Sequence, residues 1–385
     1  MENIYTADNT SALPDLFSMT PEEVTALVVS LGEPKYRAGQ LYSWLAKGAS
    51  FAEMTNLPAA FREKIAEHTS WYLPEIAEKH VSAEDGTVKY LLSLYDGECV
   101  ECVFMRYHHG NTLCVSSQAG CRMGCKFCAS TLNGQVRSLH PSEILGQVIL
   151  ASRDTDERVD GVVLMGIGEP LDNYDNVIRF LRLVSLPEGC GIGLRHISLS
   201  TCGIVPRIYD LANEGLPVTL SVSLHAADDE TRSTLMPINK KYPIAELLAA
   251  CRHYFAKTGR RVSFEYTLIA GKNDTPEQAR HLANVLKRGM RCPCHVNLIP
   301  LNPVAETGLS RPGRQGAEAF RKTLEDCGVN ATIRRHLGGD IDASCGQLRL
   351  RRKAALAAHQ VQSTEIDPDP GTEQHRKTSN HAIEE

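Results

Sequence analysis

TLCVSSQAGCRMGCKFCAS, residues 112 to 130, runs from a β-prone stretch straight into a loop that holds three cysteines. TLCVSS (112 to 117) reads as a strand and opens a regular alternation. Further strand candidates are GVVLMG (161 to 166), HISLS (196 to 200), VTLSVSL (218 to 224), VSFEYTLI (262 to 269) and HVNLIP (295 to 300). Amphipathic segments of helix length lie between them, near residues 141 to 153, 174 to 185, 205 to 214, 244 to 257 and 276 to 288. Six such β/α repeats imply a parallel sheet. No glycine-rich GxGxxG follows the first strand, which argues against a dinucleotide-binding sheet. The pattern predicts an α/β protein built on a partial (βα)6 barrel, with chemistry where strands end and loops begin.

Upstream, residues 1 to 75 read as a small all-helical domain. Thr20, Pro21 and Glu23 form a capping-box start; a second helix is expected near Tyr36 to Lys47, and a third from about Pro58 to His68. Lys35, Arg37, Lys47, Arg62 and Lys64 decorate these helices, either as a solvated face or as a nucleic-acid contact. VKYLLSL and ECVECVFM then read as strands, making residues 76 to 111 a β extension. The barrel spans 112 to 345. Residues 346 to 385 carry a basic segment, GQLRLRRK (346 to 353), and an acidic tail expected to be disordered.

Composition bounds the function. With 42% hydrophobic and 23% charged residues the chain is globular rather than fibrous or disordered. No run of about 18 apolar residues is present to cross a bilayer. The stretch MENIYTADNTSALPDLF lacks the basic and apolar regions of a secretion signal, so a cytoplasmic location is expected. There, 13 cysteines favour metal ligation or redox chemistry over disulfides. The net charge of -5 argues less against a nucleic-acid partner than it first suggests, because residues 354 to 385 hold six acids against Arg376 and Lys377 and leave the body at -1.

Cys121, Cys125 and Cys128 follow C-x3-C-x2-C spacing within one loop. A structural zinc site usually closes with four ligands from two separated pairs. Three thiolates on a 4Fe-4S cluster instead leave one iron open to a small molecule. A zinc knuckle, or three packing cysteines, is the competing interpretation. Four motifs end later strands: GIGEP (166 to 170), LSTCGIVP (199 to 206), SLHA (223 to 226) and LIPLNPV (298 to 304). Each alone could be a turn, since Gly168, Gly203 and Pro206 punctuate strand ends in any α/β protein. Together on one rim they are what ligand binding requires. Glu169 offers a carboxylate to an ammonium, Ser200 and Asn302 offer neutral hydrogen bonds, and the backbone of Ser223, Leu224 and His225 could flank a ribose or adenine.

The cysteine loop, with Phe127 just before its last thiol, resembles the signature of the radical S-adenosylmethionine superfamily. Together with MTNLPAAFREK (54 to 64), TLCVSSQAGC (112 to 121) and DIDASCGQLR (340 to 349), the strand-end motifs are similar to the RlmN/Cfr family of RNA adenine methyltransferases. The similarity extends over nearly the whole chain, through Arg352. It implies that Cys121, Cys125 and Cys128 hold one 4Fe-4S cluster whose open iron chelates S-adenosylmethionine. Gly168, Glu169, Ser200, Ser223, Leu224, His225 and Asn302 would then surround that cofactor. It further implies methylation of carbon 2 of adenosine 2503 in 23S rRNA and of adenosine 37 in tRNAs, with two S-adenosylmethionine per turnover.

Adenine carbon 2 is an sp2 carbon of low nucleophilicity, and a radical route avoids attack on a sulfonium. In the family the first S-adenosylmethionine methylates a cysteine, here Cys345, and a deoxyadenosyl radical from the second abstracts hydrogen from that methyl group. The methylene radical adds to carbon 2. A second cysteine, here Cys114, then forms a disulfide with the Cys345 sulfur and frees the product, while Glu101 matches the family's proton acceptor. On the residues alone, Cys345 in its glycine-flanked loop stays unresolved, and Glu101, between Val100 and Cys102 on a strand, could face solvent.

The implied partners are 23S rRNA, tRNA and a flavodoxin-type electron donor, with no membrane and a monomeric protein. Arg349, Arg351, Arg352 and Lys353 beside Cys345, preceded by Arg334 and Arg335, are the expected footprint for RNA, although a charge run is ordinarily a solvated face. A carbon-8 methyltransferase of the same family shares the cluster and both cysteines. From another class, a non-catalytic iron-sulfur or zinc RNA-binding protein would have no use for Cys114 and Cys345.

Overall fold

The computed structural model describes residues 13 to 302, 307 to 335, 337 to 341 and 348 to 349. Cys345, Arg351, Arg352, Lys353 and the acidic tail lie outside the described residues.

Three helices come first. At the start of α1 (Pro21–Ser30) the Glu23 amide donates to the Thr20 hydroxyl and the Thr20 amide donates to the Glu23 carboxylate, satisfying two amides that the helix itself cannot. α2 (Tyr36–Leu45) and α3 (Ala59–His68) follow, and Val24, Val28, Leu41, Leu45, Phe61 and Ile65 are buried between the three. Arg37 pairs with Glu33, Lys64 donates to Glu33 and the Leu31 carbonyl, and Arg62 donates to the Phe51 carbonyl. These cations are tied down within the helical unit.

Strands β1 (Glu75–Val81), β2 (Val88–Ser93), β3 (Cys99–Tyr107) and β4 (Gly110–Cys114) lead to a short hairpin of β5 (Gln118–Gly120) and β6 (Gln135–Ser138), then to α4 (Pro141–Thr155). Strand and helix alternate from there: β7 (Gly161–Leu164), α5 (Tyr174–Val184), β8 (Ile197–Thr201), α6 (Val205–Asn213) and β9 (Thr219–Ser223). After α7 (Asp229–Leu235) and α8 (Ile244–Thr258) come β10 (Val262–Leu268), α9 (Pro276–Met290), β11 (Cys294–Pro300), α10 (Arg314–Asp326) and β12 (Asn330–Ile333). The helical unit docks on α4 and α5: the Ser142 hydroxyl donates to Asp15 at 2.5 Å, and Arg179 reaches the Ser18 carbonyl and Glu23.

One ten-stranded sheet takes every strand except β5 and β6, in the order β1-β2-β3-β4-β7-β8-β9-β10-β11-β12. β1 to β4 pair antiparallel; from β4 onward each neighbour is parallel. The β extension therefore continues the barrel sheet rather than linking to it. The six expected βα units are present, and β12 adds a seventh parallel strand.

The sheet's two edges meet. After β1, the Ser82 hydroxyl and Ala83 amide donate to Asp340 at 2.7 and 2.9 Å, and the Gly338 amide donates to Asp85 at 2.9 Å. Contact between the first turn and the segment after β12 requires the sheet to curl into the partial barrel. Leu220, Val222, Phe264, Tyr266, Val296 and Leu298 pack with Leu247, Leu282 and Phe320 of the covering helices in one core, each such burial contributing roughly 1.5 to 3 kcal/mol. Alternate positions are polar: the Ser198 and Ser221 hydroxyls lie 2.9 Å apart, and the Asn297 amide donates to Glu265. No helix among the described residues is long and apolar enough to cross a membrane.

Candidate active site

The loop with Cys121, Cys125 and Cys128 springs from β5 and returns through β6. Its entrance is Gly120, at φ +88°, where the Gly134 carbonyl occupies the space a Cβ would need. The Cys121 amide bonds that same carbonyl, the Lys126 amide donates to the Leu235 carbonyl, and the Thr131 hydroxyl bonds the carbonyls of Cys125 and Cys128. Met123, Cys125 and Phe127 pack against a small apolar wall of Cys202, Leu235, Met236, Ile269 and Leu301.

The GIGEP turn after β7 is bound to this loop. Gly168, at φ +108°, sits so close to Gln118 that a Cβ would lie 2.6 Å from the Gln118 Cβ. The Glu169 amide donates to the Gln118 side chain, whose own amide reaches Asp172, the partner of Arg122 in the cysteine loop. Glu169 itself is buried and accepts from the amides of Leu171 and Cys202 at 3.1 and 2.7 Å, while burial raises its carboxyl above the usual range. It thus fastens the ends of β7 and β8 together.

Ser200 is half-buried near the end of β8, beside Ser221 of β9. His225 follows β9 at φ +56°, with its Nδ1 accepting from the Thr267 amide at 2.8 Å and its ring edge-on to Phe127, centroids 4.7 Å apart. Burial pushes its pKa down to about 3, so the ring is neutral near pH 7. The amides of Leu224 and His225 bond the Glu265 carbonyl. His225 is therefore a fixed apolar-faced wall rather than an acid or base.

Beside this rim lies a cavity of about 270 Å3 lined by Glu101, Cys114, Met165, Gly166, Asn302 and Arg334, among others. Glu101 and Cys114 share a wall because Val103, two residues beyond Glu101, is the register partner of Cys114. Glu101 does not face solvent. It is 1% exposed, pairs with the fully buried Lys89 at 3.0 Å, and accepts from the Arg349 amide at 2.8 Å. Burial raises the Cys114 thiol, Arg334 and Lys89 pull it down, and Glu101 pushes it up.

Residues 115 to 283 match the radical SAM superfamily, and residues 14 to 70 match the ribosomal RNA large subunit methyltransferase N-terminal domain. A Pelotomaculum thermopropionicum protein named "Probable dual-specificity RNA methyltransferase RlmN" is 55% identical over 337 residues, covering 87% of this chain and 90% of that protein. Its namesake from Clostridium perfringens strain 13 is 50% identical over 339 residues, covering 88% and 97%. The chain belongs to the RlmN family. The crystal structure of a radical SAM methyltransferase from Sphaerobacter thermophilus has the same fold, with a TM-score of 0.82 and 40% identity over 87% of this chain and 98% of that one. As an RlmN family member the protein is a radical SAM RNA methyltransferase, with a 4Fe-4S cluster and S-adenosylmethionine as cofactors.

The cysteine loop fits that cluster. Burial, then the charges of Cys128 and Glu169, push the Cys121 thiol up to about 12, and burial, Cys128 and Cys121 push Cys125 higher still. Three bare thiolates here would repel one another; iron supplies the positive charge that deprotonates and holds them. Among the described residues no three Cys, His, Asp or Glu side chains converge where a single ion would sit. A 4Fe-4S cluster takes each thiolate on a different iron.

Several RlmN residues of consequence were not visible in the sequence. Arg232, fully buried, donates to the carbonyls of Cys202, Ser223 and Leu224 and to Asn239, tying the ends of β8 and β9 while its charge lowers the Cys125 thiol. Asn273 bonds the carbonyls of His225 and Thr267. Lys89 draws the Cys114 thiol down, and so does Arg334, which was expected to contact RNA. Asn302, expected beside the cofactor, lines the Cys114 cavity. Arg349, expected to contact RNA, is 2% exposed and paired with Glu98 at 2.9 Å. The twelve described cysteines are free thiols, Cys114 included; Cys345, its expected disulfide partner, lies outside the described residues.

Proposed function

We propose that the protein methylates carbon 2 of adenosine 2503 in 23S rRNA and of adenosine 37 in tRNAs, through a methyl group carried on Cys345. The observation that carries this reading is the single cavity that Glu101 and Cys114 share, next to the strand ends that bear the cysteine loop. Bound to Cys121, Cys125 and Cys128, the cluster with S-adenosylmethionine supplies a radical able to take hydrogen from a methyl group. The protein supplies the rest. Gly168, Glu169, Ser200, Ser223, Leu224 and His225 border the cofactor, and neutral His225 takes no proton from it. Glu101, paired with Lys89, accepts the proton that carbon 2 loses as the adduct radical gives up one electron. The Cys114 thiolate then attacks the sulfur of Cys345, the bond from that sulfur to the methylene carbon breaks with its electron pair going to the base, and that carbon takes up a proton as the methylated base departs. Burial holds the Cys114 thiol above its ordinary range, and Arg334 and Lys89 offset part of that cost of forming the thiolate.

In this reading residues 1 to 75 are an accessory RNA-binding domain, 76 to 111 the β extension, 112 to 345 the barrel and 346 to 385 a basic segment with an acidic tail. The enzyme works as a monomer in the cytoplasm with a flavodoxin-type donor. The test is mass analysis of adenosine from RNA treated with anaerobically reconstituted enzyme. 2-Methyladenosine is expected. 8-Methyladenosine would assign the carbon-8 activity instead, and unmodified adenosine from a protein with a full cluster would leave only an RNA-binding role.

A further inference from the structure

We infer that the mouth of the Cys114 cavity is a phosphate-binding subsite, built by Arg311 and Arg335, that grips the RNA backbone next to the target adenosine. The inference rests on the reading that this site acts on RNA, and it specifies which part of the nucleotide the cavity recognises.

Three arginines, Arg311, Arg334 and Arg335, line the cavity from two separate segments, and Glu101 is the one carboxylate among its described lining residues. That carboxylate already has Lys89 at 3.0 Å. The lining is therefore strongly positive. An adenine ring can accept a hydrogen bond from a guanidinium but carries no charge to balance three of them; the nearest anion to a base in a polynucleotide is its phosphodiester. The forked guanidinium matches two phosphate oxygens at once.

The three arginines divide by depth. Arg334 is half-buried, donates to the Met165 sulfur, and directs its field onto Cys114 and Glu265. Arg311 and Arg335 are exposed, and neither has an ion pair or side-chain hydrogen bond among the described residues. This sets them apart from arginines elsewhere on the surface, such as Arg106 with Glu157 and Arg321 with Glu318 and Glu325. Two uncommitted guanidinium groups at the mouth of a positive cavity are placed to hold an anion that stays outside while something neutral enters. The volume of about 270 Å3 suits one base rather than a duplex, so the adenosine must leave its stack while its phosphates remain at the mouth.

The test uses the full-length, cluster-loaded protein and a fluorescent RNA stem-loop with one unpaired adenosine, with affinity measured between 50 and 200 mM salt. At roughly 0.7 to 0.9 per phosphate contact, the double variant R311Q/R335Q should flatten the slope of log affinity against log salt by about 1.4 to 1.8. RNA carrying uncharged methylphosphonates at the two phosphates flanking the adenosine should flatten the unaltered protein's slope equally, and the variant should lose nothing more on that RNA. An unchanged slope in the variant, or losses that add in full, would overturn the subsite. So would weakened S-adenosylmethionine binding with an unchanged RNA slope, which would assign the arginines to the cofactor's carboxylate. If the unaltered protein shows no salt-dependent RNA binding at all, the RNA reading itself fails.

Discussion

The cysteine loop and the Cys114 cavity lie near the ends of the same strands, and both hold shielded thiols in opposite electrostatic settings. Around Cys125 the neighbours are Cys121, Cys128 and Glu169, which add to burial in raising the thiol, with Arg232 alone acting against them. Around Cys114, Arg334 and Lys89 act against burial and only Glu101 adds to it. Converging negative charge marks a place where a cationic group must be bound for the thiolates to exist together. Around Cys114 the cations instead offset part of the burial that holds the thiol above its ordinary range, easing the thiolate that covalent chemistry would use. In the proposed function two sets of the same residue type take different jobs, ligation in one and covalent chemistry in the other.

The largest expected effect tests the first half of this contrast. Alanine at Cys121, Cys125 or Cys128 should abolish both iron content and 5′-deoxyadenosine formation, whereas Cys114→Ala should leave both in place. Iron and product assays on the four variants check this, and retention of a full cluster by any of the first three would break the assignment.

Glu101→Gln tests the second half. It keeps the size of the side chain but removes the proton acceptor, and methylated RNA should form 10²- to 10⁴-fold more slowly. The cluster and 5′-deoxyadenosine formation should be untouched. A variant that methylates RNA at the unaltered rate would reduce the Lys89–Glu101 pair to a structural role.

A smaller effect separates the two thiol sets by pH. In the cluster-free protein the Cys121 thiol is held up at about 12, against an ordinary 9.0. The folded form then keeps a proton that the unfolded chain releases, so this stability is fully present below pH 9 and is lost as pH rises toward 12. The loss should approach roughly 1.4 kcal/mol per pH unit for each such thiol. In the cluster-loaded protein the same sulfurs would already be deprotonated, so their share of the slope should disappear and only the smaller slope of the other buried thiols, such as Cys190, Cys251 and Cys294, should remain. Denaturant midpoints of both forms at pH 7.5, 9.5 and 10.5 measure the difference; equal slopes would mean that these thiols are not the cluster ligands.

Much of this contrast was legible in the sequence on one side and little on the other. The cysteine spacing and the strand-end motifs are local, so a candidate ligand set and rim could be proposed from them, and the six βα repeats could be read directly. β1 escaped notice because EIAEKHV is an exposed, charged edge strand with no apolar alternation, and β12 because it has only four residues. Lys89 and Arg232 look like surface cations in sequence. Their burial depends on partners brought in by folding, Glu101 for one and the Cys202, Ser223 and Leu224 carbonyls for the other. Arg349 reversed its expected role for the same reason: Glu98 and Glu101, on and beside β3, claim it.

The most direct test of the two-thiol division is a denaturing gel of Cys114→Ala and Cys345→Ala after reaction with labelled RNA under reducing, anaerobic conditions. Cys345→Ala has no sulfur to carry the methyl group and should give no protein-RNA band. Cys114→Ala should methylate Cys345, join it to the adenosine and stall, giving a shifted protein band that carries the RNA label. Release of normal product by Cys114→Ala at the unaltered enzyme's rate, with no shifted band, would contradict the account.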